Sequence, residues 1–321
     1  MKQNKGISLI VLIVTIIVMI IISGAIIMSL NQTNVIDQAE EAVEKHNLSE
    51  LKSAASMAYS DWLLKENLPE TDSPQAKPGQ AQNYIRKELV EQGLLTWQET
   101  SKYYISPTGG IEEIDQDAII YRIQMQAGRN HKIEISGDGE IDWGDGTTSG
   151  ITNRHSYNES GIYEVKITGD VDFLIMEGFS SSNINELIEV KSWGNTNISE
   201  IYISNYSNLR YIAMPNSNSF GNLTVFMMDH CSIEELPDYF FENSKLESAS
   251  FESNSNFKYI PGHLFDGCTA LNDVTALFKD CTLLTGNAPE LWNNTNITSY
   301  SECFKNCTKL SNYADIPDAW K

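Results

Sequence analysis

"FDGCTALNDVTALFKDCTLL", residues 265–284, carries one seven-residue template twice. In "FDGCTAL" (265–271) and "FKDCTLL" (278–284) a Phe is followed by Cys three residues later and by Leu three after that. "FKNCTKL" (304–310) is a third copy. A second element interleaves with it: "LPDYFF", "IPGHLF", "APELW" and "IPDAW", whose prolines at 237, 261, 289 and 317 are 24, 28 and 28 residues apart. A period in the twenties with a fixed apolar template predicts a solenoid, because one such unit cannot bury its apolar face alone. The shared position predicts that Cys268, Cys281 and Cys307 form an inward ladder of free thiols. The five cysteines are an odd number and all lie after residue 230, which does not suit a framework of disulfide pairs.

Upstream the texture changes. From Ile119 the period is two: Ile133 and Ile135, Ile141 and Trp143, and Tyr163, Val165 and Ile167 alternate with polar residues. Half-buried strands with Gly- and Asp-rich turns follow, and a small β-sandwich accommodates them. Before that, "YYISPTGGIEEI" (103–114) reads as two extended pieces around a Gly-Gly turn, and "NYIRKELVEQGLL" (83–95) as a short amphipathic helix. Pro69, Pro74 and Pro78 mark a turn-rich linker. Ile36, Ala39, Val43, Leu51, Ala54, Ala58 and Trp62 keep helical phase.

Ile7 to Leu30 is an uncharged apolar run. As a helix it rises about 36 Å, enough to cross a hydrocarbon core of about 30 Å. It exceeds a secretory h-region, and no A-x-A-like site follows it. Lys2 and Lys5 precede it and the next basic residue is Lys45, which predicts a cytoplasmic N-terminus with the bulk of the chain outside. The formal charge of −21 argues against nucleic acid and anionic lipid head groups as partners.

Three stretches carry resemblances. "KGISLIVLIV" resembles the class III leader of type IV pilins and pseudopilins, in which a prepilin peptidase cuts after a Gly and the new N-terminus is methylated. The resemblance implies a leader over 1–6, Gly6 as its last residue and Ile7 as the first mature one. Family members usually have Phe first and Glu fifth in the mature chain, where this sequence has Ile7 and Val11. "IDWGDGTT" (141–148), "HSY" (155–157) and "GIYEVKITG" (161–169) resemble a PKD-like immunoglobulin-type domain, with its W-G-D-G, H-x-Y and G-x-Y-x-V pieces in order. Residues 180–321 resemble the leucine-rich repeats of BspA-like bacterial surface proteins, which implies surface display and adhesion.

No catalytic constellation is legible. His46, His131, His155, His230 and His263 are scattered over separate units, and no P-loop, H-E-x-x-H or G-x-S-x-G occurs. Neighbours such as His230 and Cys231 point to opposite faces of a strand, a poor geometry for a dyad. Asp138, Asp142 and Asp145 raise the question of calcium. They lack the EF-hand pattern that runs on to a Glu at position twelve, and turn formation explains them better.

The sequence thus predicts a multidomain α+β chain with neither catalytic nor metal nor cofactor site. Its parts are a leader (1–6), a pilin-like helix (7–66) with a transmembrane half (7–30), a linker and small α/β head-like segment (67–118), a PKD-like sandwich (119–176) and leucine-rich repeats (180–321). The function expected is that of a single-pass, pilin-like cell-surface protein, a minor type IV pilus subunit presenting an adhesion module. The alternatives are a pseudopilin of a secretion or DNA-uptake machine, and a surface receptor that never polymerises. Expected partners are other pilin subunits through the helix, the prepilin peptidase, and a protein or host-surface ligand for the repeats. Tyr202, Tyr206, Tyr211 and Tyr259 are the candidate binding face, since Tyr offers large area with a polar tip.

Overall fold

Helix gives way to strands after Glu91, and the long alternating strands begin at Ala118. The computed structural model describes residues 35–67, 80–178 and 187–321. Helix α1 (Val35–Glu66) and helix α2 (Ala81–Glu91) come first, then a hairpin of β1 (Tyr103–Ile105) and β2 (Ile111–Glu113). β3 (Ala118–Met125), β4 (Arg129–Lys132), β5 (Glu134–Asp142), β6 (Thr148–Gly150), β7 (Arg154–Tyr157) and β8 (Gly161–Glu177) follow. The rest of the chain holds β9 (Leu187–Trp193), β10 (Glu200–Ser204), β11 (Tyr211–Ile212), β12 (Val225–Asp229) and β13 (Ser248–Ser250), then turns and short 3-10 segments. Two compact units result, Met1–Ala54 and Ala55–Lys321, and all of the strands belong to the second.

β8 is the spine of a nine-stranded sheet. Along one edge it pairs antiparallel with β5, from Asp142↔Lys166 to Glu134↔Ile175. Along the other it pairs antiparallel with β3 as far as Ala118↔Thr168, then parallel with β10 from Glu200↔Phe173. β12 and β13 add to β10 in parallel, while β9 and β11 add beyond β3. The close approach of β5 and β8 depends on glycine. A Cβ at Gly137, Gly139 or Gly169 would stand 1.9, 2.0 or 2.3 Å from a carbonyl oxygen of the facing strand. Alternation buries Val165, Ile167 and Val171 of β8, and after a register shift at Asp172 it buries Leu174 and Met176.

Beyond β13 the strands shrink to single parallel bridges, Ser248↔Asp273 and Asp273↔Ser299. Side chains replace the ladder. Phe226, Phe251, Phe278 and Phe304 form one interior column with ring centroids 5.7, 5.9 and 5.8 Å apart, and Phe241 and Phe265 stack in another at 5.9 Å. The residue three after an aromatic bonds to the coil before it. Cys281 Sγ donates to Phe251 O (3.1 Å), Cys307 Sγ to Phe278 O (2.9 Å), Cys268 Sγ to Phe241 O (3.6 Å) and Asn254 Nδ2 to Met228 O (2.5 Å), with a further bond to Phe251 O (2.9 Å) in its own coil. Ser253, Gly267, Asp280 and Asn306, just before these small residues, have positive φ, as has Asn243 before the buried Ser244. Gly, Asn and Asp take that conformation most readily. All five cysteines are buried and free. The expected single ladder of three cysteines is split: Cys281 and Cys307 share one column, while Cys268 lies on the other beside Ser244.

The expected architecture is therefore corrected. A long N-terminal helix, a separate β-sandwich and a leucine-rich-repeat solenoid are replaced by a mostly β chain with two helices among the described residues and one curled, half-barrel sheet. The physical reason is β8. One edge of it pairs antiparallel with β5 as far as Ile175, while the other edge passes from the antiparallel β3 to the parallel β10, so the two regions share one sheet. Of the helix expected over 7–66, α1 is the described part. The apolar run from Ile7 to Leu30 and the expected processing pair Gly6 and Ile7 lie outside the described residues. Among the described residues, which do not include the run 7–30, no helix is long and apolar enough to cross a membrane, and this stands against the expected single-pass transmembrane protein.

Candidate functional site

The four tyrosines expected to share a binding face do not share one. Tyr206 and Tyr211 are buried, at 1% and 3% exposure. Tyr206 follows the positive-φ Asn205 and so holds the inward position that Cys231 and Asn254 hold one and two coils later. Tyr211 packs edge-on to Tyr104, and its hydroxyl accepts from the buried Arg86 (Nη2, 3.0 Å). Tyr259 is partly exposed away from the strands. Tyr202 alone lies on the open side of the sheet, on β10, with its hydroxyl donating to Glu200 Oε2 (3.1 Å).

The neighbours of Tyr202 define the site. In register it stands between Ile175 of β8 and Met227 of β12, and one pleat away Glu200 stands between Phe173 and Val225. Phe173, Ile175, Tyr202, Val225 and Met227 are all partly exposed, while the alternate residues Leu174, Met176, Ile201, Ile203, Phe226 and Met228 fill the core. The five therefore form an apolar stripe across three adjacent parallel strands on the side away from the core. Glu134, Asp172 and Glu177, all exposed, edge it. Sequence reasoning missed four of the five. The signal was present in "FLIM" (173–176) and "VFMM" (225–228), where both parities are apolar. Strands covered on both faces read that way.

Two other constellations are built but occupied by their own members. The stretches 141–148, 155–157 and 161–169 meet: His155 stacks on Trp143 at 4.7 Å, its Nε2 lies 2.7 Å from Asp145 Oδ2, Tyr157 OH donates to Trp143 O (2.8 Å), and the Tyr157 ring lies 4.3 Å from that of Tyr163. Partial burial works against the Asp145 charge, but hydrogen bonds from Thr147 and His155 outweigh it and hold this carboxyl below its usual range. On the face of β3 and β9 beneath the β1–β2 hairpin, the buried Glu189 accepts from Tyr104 OH (2.9 Å) and Arg122 Nη1 (2.8 Å). Lys191 bonds Glu164 (2.9 Å) and Glu112 (3.2 Å) and lies 4.2 Å from the Tyr104 ring centroid. These groups satisfy one another and pin the hairpin to the sheet.

The thiols are shielded. Burial pushes Cys231 and Cys307 up to about 12 and Cys268 to about 11, and raises Cys281 and Cys303 well above the ordinary thiol value. Among the described residues no three His, Cys, Asp or Glu side chains come together as a metal site, Asp138, Asp142 and Asp145 included. No family model, curated protein or solved structure matches this chain.

Proposed function

We propose that the chain is an adhesive binding protein whose protein ligand docks on the open face of the parallel strands. One observation carries the reading: Phe173, Ile175, Tyr202, Val225 and Met227 line up in adjacent register on the side away from the core. A stripe of this kind, with a charged edge, is the composition of an interface centre and its rim. Tyr202 supplies the aromatic anchor with a polar tip. The role is binding.

The test is adhesion of the immobilised full chain to a panel of purified extracellular-matrix and serum proteins, with Val225→Glu/Met227→Glu beside the wild type. Both side chains point away from the core, so the variant keeps its fold by circular dichroism. It should bind any panel member that the wild type binds at least tenfold more weakly. Equal binding would place the ligand site elsewhere.

A further inference from the structure

Away from the parallel strands, a second surface feature brings three aromatic rings together. Tyr239 and His263 belong to successive coils, and their rings stack in parallel, with centroids 4.5 Å apart and planes 3° apart. Trp97, in the loop after α2, lies 5.9 Å from Tyr239. His263 is exposed, and Tyr239 and Trp97 are partly so. Beside Trp97 opens a shallow groove of about 440 Å³ lined by Val90, Leu94, Leu95, Thr96, Trp97 and Glu99 among others. The coil geometry sets the display: Tyr239 has φ 58°, and the residues two before Phe278 and Phe304, Ala276 and Glu302, share that conformation.

Three carboxylates, Asp238, Glu242 and Asp266, and one imidazole, His263, carry the charges around the rings. Burial first, and then the charges of Asp238, Asp266 and Glu242, push the pKa of the Tyr239 hydroxyl up. Asp266 Oδ2 is 2.8 Å from His263 Nδ1, and Asp238 Oδ1 accepts from the His263 backbone N–H (2.9 Å). The side-chain amide of Gln98 donates to Glu242, which ties the Trp97 loop to the Tyr239 coil. Each carboxylate keeps lone pairs to spare, and the Gln98 amide is already committed to Glu242.

We propose that the Trp97–Tyr239–His263 row, with Asp238, Glu242 and Asp266, is a docking site for a Lys- or Arg-bearing segment of a protein partner. Charge complementarity chooses this occupant. Aromatic faces and carboxylates both attract ammonium and guanidinium groups, and the aliphatic stems of Lys and Arg suit the apolar groove beside Trp97. A neutral sugar also stacks on aromatic rings, but it draws no charge attraction from three carboxylates that outnumber one imidazole. The site is separate from the apolar stripe and does not depend on it.

The experiment is calorimetric titration of the full chain at pH 8 with three probes: a twelve-residue Lys-Gly repeat peptide, its Glu-Gly counterpart and chitohexaose. The Lys-Gly peptide should bind and the Glu-Gly peptide should not. Tyr239→Ala and, separately, Asp266→Asn should weaken the Lys-Gly peptide at least fivefold, and so should raising salt from 50 to 300 mM. Asp266 is exposed, so its variant tests the site even where Tyr239→Ala loosens the coil. Val225→Glu/Met227→Glu should leave this binding intact, which separates the failure of this site from the failure of the sheet-face reading. Lys-Gly binding that ignores both site variants would reduce the effect to the chain's overall charge and overturn the proposal. Chitohexaose binding that depends on Tyr239 and ignores salt would overturn it in favour of a carbohydrate.

Discussion

β3, β5 and β8 run for eight, nine and seventeen residues, whereas the coils from residue 225 onward carry strands of five and three residues and then single bridges. In the first region backbone ladders satisfy the peptide groups and alternation fills the core. In the second, stacked aromatics fill it, and Cys and Asn side chains bond carbonyls of the preceding coil. Short strands can thus continue a sheet when each coil contributes one large ring and one small polar or thiol group at fixed positions. Both regions hang on β8, so they should unfold together.

The largest effects test that coupling. Phe278→Ala removes the centre of a column and should cost about 3–5 kcal/mol, with Ile167→Ala in the antiparallel region costing about 2–5 kcal/mol. Denaturant melts followed by tryptophan fluorescence and circular dichroism should show one shared transition for residues 55–321 in both variants. Two separated transitions would mean that β8 joins the regions without coupling them.

Next comes Glu235, whose carboxylate accepts from the Gln80 N–H (2.9 Å) where α2 begins. Burial pushes it up from 4.5 to about 7. Between those values the folded chain holds a proton that the unfolded chain has released, so stability falls as pH rises through this window and stays lower above it. Glu235→Gln keeps an oxygen for Gln80 and cannot ionise. It should be more stable than wild type at pH 8, by at most about 3 kcal/mol because the residue keeps some solvent contact, and equal to it at pH 4. Parallel urea melts at the two pH values decide this.

Asn254→Ala sharpens the account of the coils. It deletes the bonds to Met228 O and Phe251 O and the acceptor of the Cys231 N–H, and should cost about 1–3 kcal/mol. Asn254→Cys places at that position the residue its neighbours use, and should lose less than Ala does. If the two variants melt alike, the thiols pack without bonding. Smallest of all, Cys281→Ala should cost about 1 kcal/mol from its small cavity. A thiol-disulfide reagent should modify the native chain no faster than it unfolds, and rapid labelling of any cysteine at pH 8 would contradict the shielding described above.

Much of this was legible locally. The F-x-x-C-T-x-L copies mark residues that do lie inside, and the alternation in 163–167 marks a real strand. The two-column arrangement was not legible, because the 13 residues from Phe265 to Phe278 and the 26 from Phe278 to Phe304 look like one irregular repeat until the chain is coiled. Tyr206 was misread as exposed, although "NYS" (205–207) matches "HCS" (230–232) at a spacing of 25 and so signals an inward residue. Tyr211 had no such signal. Its burial depends on Arg86 and Tyr104, which are over a hundred residues away in sequence.

By itself the sequence determined what each short segment can bury: which positions alternate, which repeat, and where Gly, Asn or Asp lets the backbone turn through positive φ. Those are properties of neighbours a few residues apart, and local sterics and hydrophobicity suffice to set them. Only the tertiary structure decided that β8 continues from antiparallel into parallel pairing, that the two regions are therefore one curled sheet, and which apolar side chains remain outside it. Hydrogen-bonding partners of a strand lie far away in sequence, and the face left uncovered depends on every element that packs elsewhere.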